Sequence, residues 1–221
     1  MNMPQQDVNN ILNPLMQRII PLYKRGELEK DQEDFWAAKA ALNFNTPAIM
    51  DRGIFSIYFL NLFKIKRGEG VFQPTGLPHA YLEGQNVEIM ANSDNVLRGG
   101  LTTKHIDVKE LIKQIRFEET KPVIIKPAKV GNEKIYKTGA KDFQLSYFLI
   151  PPKENVSFTT KTAEIIFVLQ GNAVIHSVGS FLDLKKGKSA IAFADQTINI
   201  KTESGAEIYK ASVPVPGSVN K

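Results

Sequence analysis

Short apolar segments of strand length follow one another from residue 143 to residue 213, and this feature limits the possible folds most strongly. Each is rich in β-branched and aromatic residues, and few residues separate one from the next. In chain order they are FQLSYFLI, AEIIFVLQ, NAVIHSV, SFLDL, SAIAFA, TINIKT and AEIYKASV. Short antiparallel strands at this spacing are typical of sandwiches and jelly rolls. The sequence therefore predicts a mainly β fold.

The start of the chain has a different pattern, in which apolar residues recur every three to four positions as on one face of a helix. Pro14 and Pro21 interrupt it, so we expect a short helix, a break and a helix over about Pro14–Lys24. A second helix is predicted over about Glu27–Leu42. We therefore predict that residues 1–50 form a helical segment.

Between these regions, residues 61–74 (NLFKIKRGEGVFQP) indicate a strand, a glycine turn and a second strand. One helix interrupts the β pattern over Val108–Ile115, with Asp107 as its N-cap.

Composition excludes several kinds of function. With no cysteine in 221 residues, any metal must be held by histidine, carboxylate or amide oxygen. No apolar run reaches the roughly 20 residues that span a bilayer, and the first residues lack the features of a signal peptide. We therefore expect a cytoplasmic protein with no membrane partner. The six lysines within 121–141 lie among prolines and glycines with no arginine, so they indicate a solvated loop and no nucleic-acid partner.

Four residues around a single histidine form a recognisable pattern: Gly68, Pro74, Gly76 and His79. Their spacing resembles the second sequence motif of cupins, which are double-sheet jelly rolls with a metal inside the barrel. The glycines and the proline would shape the turns between two strands, and the histidine would point from a strand into the barrel. Glu83 stands where many cupins have asparagine.

The same spacing recurs near the C-terminus with only its first glycine retained. Gly187, Phe193, Asp195 and Ile198 occupy the four positions. Upstream, Glu164 and Gly171 match the end of the first cupin motif, and Phe158 and Thr160 stand where its two histidines would be. We interpret this region as a second, metal-free jelly roll. The alternative is chance spacing in an ordinary β-sandwich.

The stretch GEGVFQPTGLPHAYLEGQNVEIMANSDNVLRGGLTTKHIDVKELI, residues 68–112, resembles the signature of type I mannose-6-phosphate isomerases. The helical lead-in and the metal-free C-terminal jelly roll also match the layout of that family. The resemblance implies an aldose–ketose isomerase that interconverts mannose 6-phosphate and fructose 6-phosphate with bound zinc. Its reaction moves a proton between C1 and C2 through an enediol-like intermediate.

Carried over residue by residue, the resemblance implies that His79 is a zinc ligand and that Tyr81, two residues later, lines the substrate pocket. Tyr81 has an equally simple interpretation as a packing residue. Glu88, between apolar neighbours in VEIM, is expected in the pocket because a buried carboxylate needs a partner. His105 and His176 are expected to be structural and not to bind metal.

The resemblance also implies three catalytic positions. Asp94 falls at the active site of the family, although an aspartate in SDN commonly bonds its own turn. Arg98 matches the proposed catalytic arginine, with Gly99 and Gly100 allowing close backbone approach. Lys104 is expected to hold the phosphate or to take part in proton transfer. Since an arginine stays protonated, Arg98 would act electrostatically rather than as a base.

The family holds zinc with four protein groups, and three of them precede the helical segment in its members. The chain contains no Gln-x-His, so we expect it to be a C-terminal portion of such an enzyme, with residues 51–115 as the second half of the metal-bearing cupin and 116–221 as a linker and the metal-free cupin. The remaining zinc ligands are then expected from a separate N-terminal segment. The competing hypothesis is a non-catalytic cupin that binds a sugar phosphate or serves as a structural partner.

Overall fold

Four helices and eleven strands make up the regular structure of residues 1–93 and 95–215, which the computed structural model describes. The helices are α1 (Gln5–Lys24), α2 (Glu33–Phe44), α3 (Ile54–Phe59) and α4 (Val108–Gln114). The strands are β1 (Gly70–Val71), β2 (Ile124–Ile125), β3 (Ala128–Val130), β4 (Glu133–Ile135), β5 (Gln144–Ile150), β6 (Asn155–Thr159), β7 (Glu164–Ser177), β8 (Ser180–Lys185), β9 (Ser189–Ala192), β10 (Thr197–Lys201) and β11 (Ala206–Ser212). The predicted fold class, mainly β with an N-terminal helical segment, is confirmed.

The residues group into two compact units. The helical unit consists of Met1–Lys66, Gln73–Asn86 and Ser93–Val123, and the β unit of Arg67–Phe72, Val87–Asn92 and Ile124–Lys221. Across the described residues, no helix is both long enough and apolar enough to span a bilayer.

The core of the helical unit forms where one face of α1 packs against α2 and α3. Val8, Leu12, Met16 and Ile19 are buried on that face. The predicted break at Pro14 is wrong, because α1 continues through both internal prolines. The buried apolar face runs along the helix on both sides of Pro14, and this packing outweighs the backbone hydrogen bond that a proline cannot donate. The second helix begins later than predicted, because α2 starts at Glu33.

The β unit is organised around the long strand β7, which was predicted as two strands. Its first half pairs with β11 and β9, and its second half pairs with β10 and β8. Between the halves, Gly171 has a φ of +78°, and a Cβ added there would lie 2.1 Å from the carbonyl oxygen of Gly205. The buried side of the strand changes from even to odd positions at this glycine. One strand therefore belongs to both halves of the curled sheet.

Strands β3 to β11 form one curled nine-stranded antiparallel sheet, the half-barrel of a cupin-like fold, and it buries a large apolar cluster. Its members come from both halves of β7 and from the strands on either side. They are Phe148, Ile150, Val156, Ile166, Val168, Ala173, Ile175, Leu184, Ala192, Ile198, Ile200, Ala206 and Ile208.

Residues 61–74 differ from the predicted pair of strands. The turn is present at Gly68, with a φ of +82°, but of these residues only β1 is in a strand, and it pairs with β2. A strand requires a partner for its backbone groups, and in the part of the chain that is described residues 61–66 have no such ladder. In contrast, α4 and its N-cap are confirmed, since Asp107 accepts a hydrogen bond from the Glu110 amide at 2.9 Å.

Candidate functional site

The loop that carries His79 is attached to the end of α4 through the motif glycine Gly76. The amide of Arg116 donates to the carbonyl oxygen of Gly76 at 3.0 Å. Gly76 has a φ of +81°, and a Cβ there would lie 2.8 Å from the carbonyl oxygen of Gln114. Only glycine allows this backbone conformation and this approach without a shift of the helix end.

His79 lies exposed on this loop, outside the strands. Its Nδ1 is 2.9 Å from the carbonyl oxygen of Leu77. Since a carbonyl oxygen only accepts, this contact requires the hydrogen on Nδ1 and leaves the lone pair on Nε2. A backbone carbonyl often holds a metal-binding imidazole in this tautomer. The loop therefore presents Nε2 as one potential metal ligand.

Two neighbours define the surroundings of His79. The ring of Tyr81 meets it edge to face, with 6.3 Å between centroids, so the two side chains share one side of the loop. Glu83 forms ion pairs with Lys30 and with Lys39, the latter at 3.2 Å. Hydrogen bonds from these lysines, chiefly Lys30, hold the pKa of the Glu83 carboxyl below its usual range. Glu83 thus ties the histidine loop to the helical segment.

The second candidate loop of the helical unit contains Arg98 and Lys104. Arg98 is half-buried, Lys104 is exposed, and the amide of Lys104 donates to Thr102 Oγ1 at 3.2 Å. His105 is exposed, two residues before the N-cap of α4. Asp94 lies outside the described residues, so its predicted role stays a prediction.

Glu88 belongs to the β unit, unlike the other candidates described here. Its side chain is exposed, whereas the adjacent Val87 packs against the cluster of Tyr136, Tyr147 and Tyr209. The expectation that Glu88 points into a pocket rested on its apolar neighbours. In the structure it is Val87, and not Glu88, that makes the apolar contact.

The described residues do not by themselves fit a zinc site. Within residues 1–93 and 95–215, no three histidine, aspartate or glutamate side chains converge where they could hold a metal ion. A protein zinc site needs three or four ligands. His79 can supply one.

In the β unit, a lysine lies beside the glutamate that matches a cupin motif. The Lys210 ammonium is 3.1 Å from Glu164 Oε2 and 3.0 Å from Glu133 Oε1. It also lies 4.6 Å from the ring centroid of Phe158, which occupies a histidine position of the motif. The positive charge of a buried lysine thus compensates the negative charges of two carboxylates, which would otherwise have no partner ion in the interior.

The other eroded motif positions have structural contacts. Thr160 is buried, and its hydroxyl donates to the carbonyl oxygen of Phe193 at 2.6 Å. Ile198 is a core residue that pairs with Phe158 across β10 and β6. His176 is exposed on β7, with its ring 6.3 Å from that of Phe181.

Sequence reasoning missed Lys210 and Glu133. The signal was present in β11, where Ala206, Ile208 and Lys210 alternate on one face of the strand and all three are buried. A lysine at an inward position indicates a buried acidic partner. The partner from β4 could not be named, because the pairing of β4 with β5 is decided in three dimensions.

A helical segment followed by a curled antiparallel sheet defines a mainly β, cupin-like protein. No family model matches the chain. Mannose-6-phosphate isomerase of Escherichia coli (strain K12) is 36% identical over 176 residues, covering 78% of this chain and 44% of that protein. The mouse (Mus musculus) enzyme is 33% identical over 199 residues, covering 86% and 46%.

Solved structures give the same result. The crystal structure of mannose 6-phosphate isomerase from Salmonella typhimurium, bound to its substrate and zinc, superposes with a TM-score of 0.67 at 30% identity and covers 96% of this chain and 62% of that one. The chain is homologous to mannose-6-phosphate isomerases, as residues 68–112 predicted, and it spans less than half the length of the E. coli and mouse enzymes.

Proposed function

We propose that this chain carries part of the active site of a mannose-6-phosphate isomerase, an aldose–ketose isomerase. The reaction converts the C1 aldehyde of mannose 6-phosphate into the C2 ketone of fructose 6-phosphate. One hydrogen passes from C2 to C1 and one from O2 to O1, so no oxidant or reductant is consumed. The homology to a relative solved with its substrate and zinc is the observation that carries this proposal.

We assign the substrate phosphate and the developing negative charge to the loop of Arg98 and Lys104. Both side chains are cationic, and the half-buried Arg98 is the better placed to act electrostatically because its guanidinium stays protonated. Lys104 holds the phosphate or takes part in proton transfer. Asp94, in the same segment, is proposed as the third catalytic residue.

Tyr81 and Glu88 are proposed to contact the sugar. The edge-to-face contact between Tyr81 and His79 supports the assignment of Tyr81, because the ring then stays on the side of the loop that presents the imidazole. The exposed Glu88 carboxylate is available to accept hydrogen bonds from sugar hydroxyl groups.

We propose that His79 is one ligand of a zinc site whose other ligands lie outside these 221 residues. The tautomer favoured by the Leu77 carbonyl and the zinc bound by the Salmonella relative support this assignment. Residues 51–115 would then form the second half of a metal-bearing cupin sheet, and a separate N-terminal segment would be the partner that completes it.

The absence of a convergent ligand cluster among the described residues favours one other candidate, a non-catalytic protein that binds a sugar phosphate or serves as a structural partner. Such a protein would use Arg98 and Lys104 without turnover.

The test compares the 221-residue chain alone with the same chain supplied, fused or in trans, with the N-terminal segment of a related isomerase. The chain alone is expected to bind no stoichiometric zinc and to show no turnover, because one histidine is a weak ligand. The supplemented chain is expected to gain both, and His79→Ala to abolish the zinc binding, with the exposed His176→Ala as the matched control. Zinc content is measured by elemental analysis and helix content by circular dichroism.

Stoichiometric zinc in the lone chain would contradict the ligand assignment. A supplemented chain that binds mannose 6-phosphate but never turns it over would favour the non-catalytic candidate.

A further inference from the structure

Asp51, in the turn between α2 and α3, contacts the segment that follows Arg98. Its Oδ1 accepts a hydrogen bond from the Gly53 amide at 2.7 Å, and its Oδ2 accepts one from the Leu101 amide at 3.1 Å. The backbone of Asp51 is itself held, since its amide donates to Asn45 Oδ1 at 2.8 Å. One half-buried carboxylate thus joins two loops that are 50 residues apart in the chain.

The two loops also touch through their backbones. A Cβ added to Gly53 would lie 2.9 Å from the Cα of Gly100, and a Cβ added to Gly100 would lie 2.5 Å from the Cα of Gly53. Only glycine at both positions permits this approach. Gly100, the second of the two glycines after Arg98, therefore contacts the turn before α3.

The backbone at this contact is strained. Leu101 has a φ of +50°, in the left-handed region that bulky side chains rarely adopt. Such a conformation persists where surrounding contacts hold it, and it is frequent near functional sites. The bond to Asp51 and the packing of the Leu101 side chain against the helical core are the contacts that hold it here.

We infer that Asp51 is a positioning residue for Arg98. It does so by fixing the backbone of Gly100 and Leu101, two and three residues after the arginine, against the turn before α3. A charged side chain that must meet a substrate phosphate benefits from a backbone already held in place, since less freedom is lost on binding. The role of Arg98 in this inference rests on the proposed function, whereas the anchoring of its loop does not.

The anchoring is tested by limited trypsin digestion of the full chain, with the products identified by mass spectrometry. Asp51→Ala and Asp51→Asn are each expected to speed cleavage after Arg98 by at least about tenfold, the factor that corresponds to losing one hydrogen bond to a charged group. Cleavage after Arg116, beyond α4 in the same unit, serves as the internal reference, because general unfolding would speed both cuts. Asp31→Asn, at an exposed turn, is the matched control and is expected to leave both rates unchanged.

Equal acceleration at Arg98 and Arg116, or no acceleration at Arg98, would overturn the inference. A second measurement is the calorimetric preference for mannose 6-phosphate over mannose. Asp51→Asn is expected to reduce this preference by about tenfold relative to the Asp31→Asn control. If the unmodified chain shows no preference for mannose 6-phosphate over mannose, the proposed function fails. The cleavage rates then test by themselves whether Asp51 anchors the loop.

Discussion

Replacing Lys210 with methionine would remove the cation that lies between two carboxylates inside the β unit. The side chains of Lys210 and Glu164 are 8% and 4% exposed, and that of Glu133 is 19% exposed. Removing one partner of a buried ion pair costs about 3–5 kcal/mol, because the remaining charge stays out of water without compensation. Methionine keeps most of the apolar stem, so the change leaves little cavity.

The structure places the expected cost near the middle of that range. Among the described residues, Glu164 Oε2 has no hydrogen-bond partner, so its contact with Lys210 is mainly electrostatic and is lost completely. The charge of Glu133 would stay partly compensated without Lys210, because its side chain is partly exposed to water and accepts a hydrogen bond from the Ser146 hydroxyl. Loss of the ammonium above the Phe158 ring adds about 0.5–2 kcal/mol. We therefore expect a loss of about 4 kcal/mol, a large share of the 5–15 kcal/mol typical of a folded domain.

Urea unfolding followed by circular dichroism measures this effect. With a slope of about 2 kcal/mol per molar, the midpoint should fall by about 2 M. Lys201→Met, on the exposed side of β10, is the matched control and should change stability by no more than about 0.5 kcal/mol. A Lys210→Met midpoint equal to that of the control would refute the argument.

A double substitution separates electrostatics from packing. Glu164→Gln together with Lys210→Met removes one buried charge of each sign, and replacing a whole pair is often close to neutral. The double variant should therefore be more stable than Lys210→Met alone. Additive losses would mean that Lys210 acts through packing only.

Two further predictions concern Gly171 and three tyrosines that are partly or fully buried. Gly171→Ala should destabilise the protein by about 2 kcal/mol more than Gly179→Ala in thermal unfolding, because both positions have positive φ but only Gly171 faces a backbone oxygen, at 2.1 Å from the added Cβ; equal losses would show that the strand accommodates the side chain. Burial raises the pKa values of the Tyr58, Tyr136 and Tyr209 phenols above the ordinary value of about 10, so phenolate absorbance should show these groups ionising later in the folded protein than in urea. Because the folded-state pKa is the higher one, their contribution to stability is complete below pH of about 10 and is lost as the pH rises through the folded values, and coincident titration curves in the two states would contradict this.

The resemblance to a known family could be predicted from the order of residues alone. The spacing from Gly68 to His79 and the stretch that ends in the α4 helix carry the resemblance to mannose-6-phosphate isomerases, which the comparisons confirm. The conformation of Gly76 could also be expected, since a glycine in a turn that follows a predicted strand indicates positive φ or close backbone approach.

Other contacts could not be predicted, because they join residues that are far apart in the chain. Nothing near Asp51 in the sequence indicates that its carboxylate bonds the amide of Leu101, and nothing near Lys210 identifies Glu133 as its partner. These pairings depend on how the strands and loops are arranged, which local patterns do not specify.

The sequence by itself determined that the start of the chain is helical and that residues 143–213 are mainly strands, because periods of 3.6 and 2.0 residues follow directly from backbone geometry. Tertiary structure alone decided that α1 continues through Pro14 and that β7 runs unbroken through Gly171. A proline or glycine weakens local structure by an amount of the order of one to a few kcal/mol. In α1, burial of one apolar face on both sides of Pro14 exceeds that cost. In β7, strand pairing and burial of each half on either side of Gly171 do so.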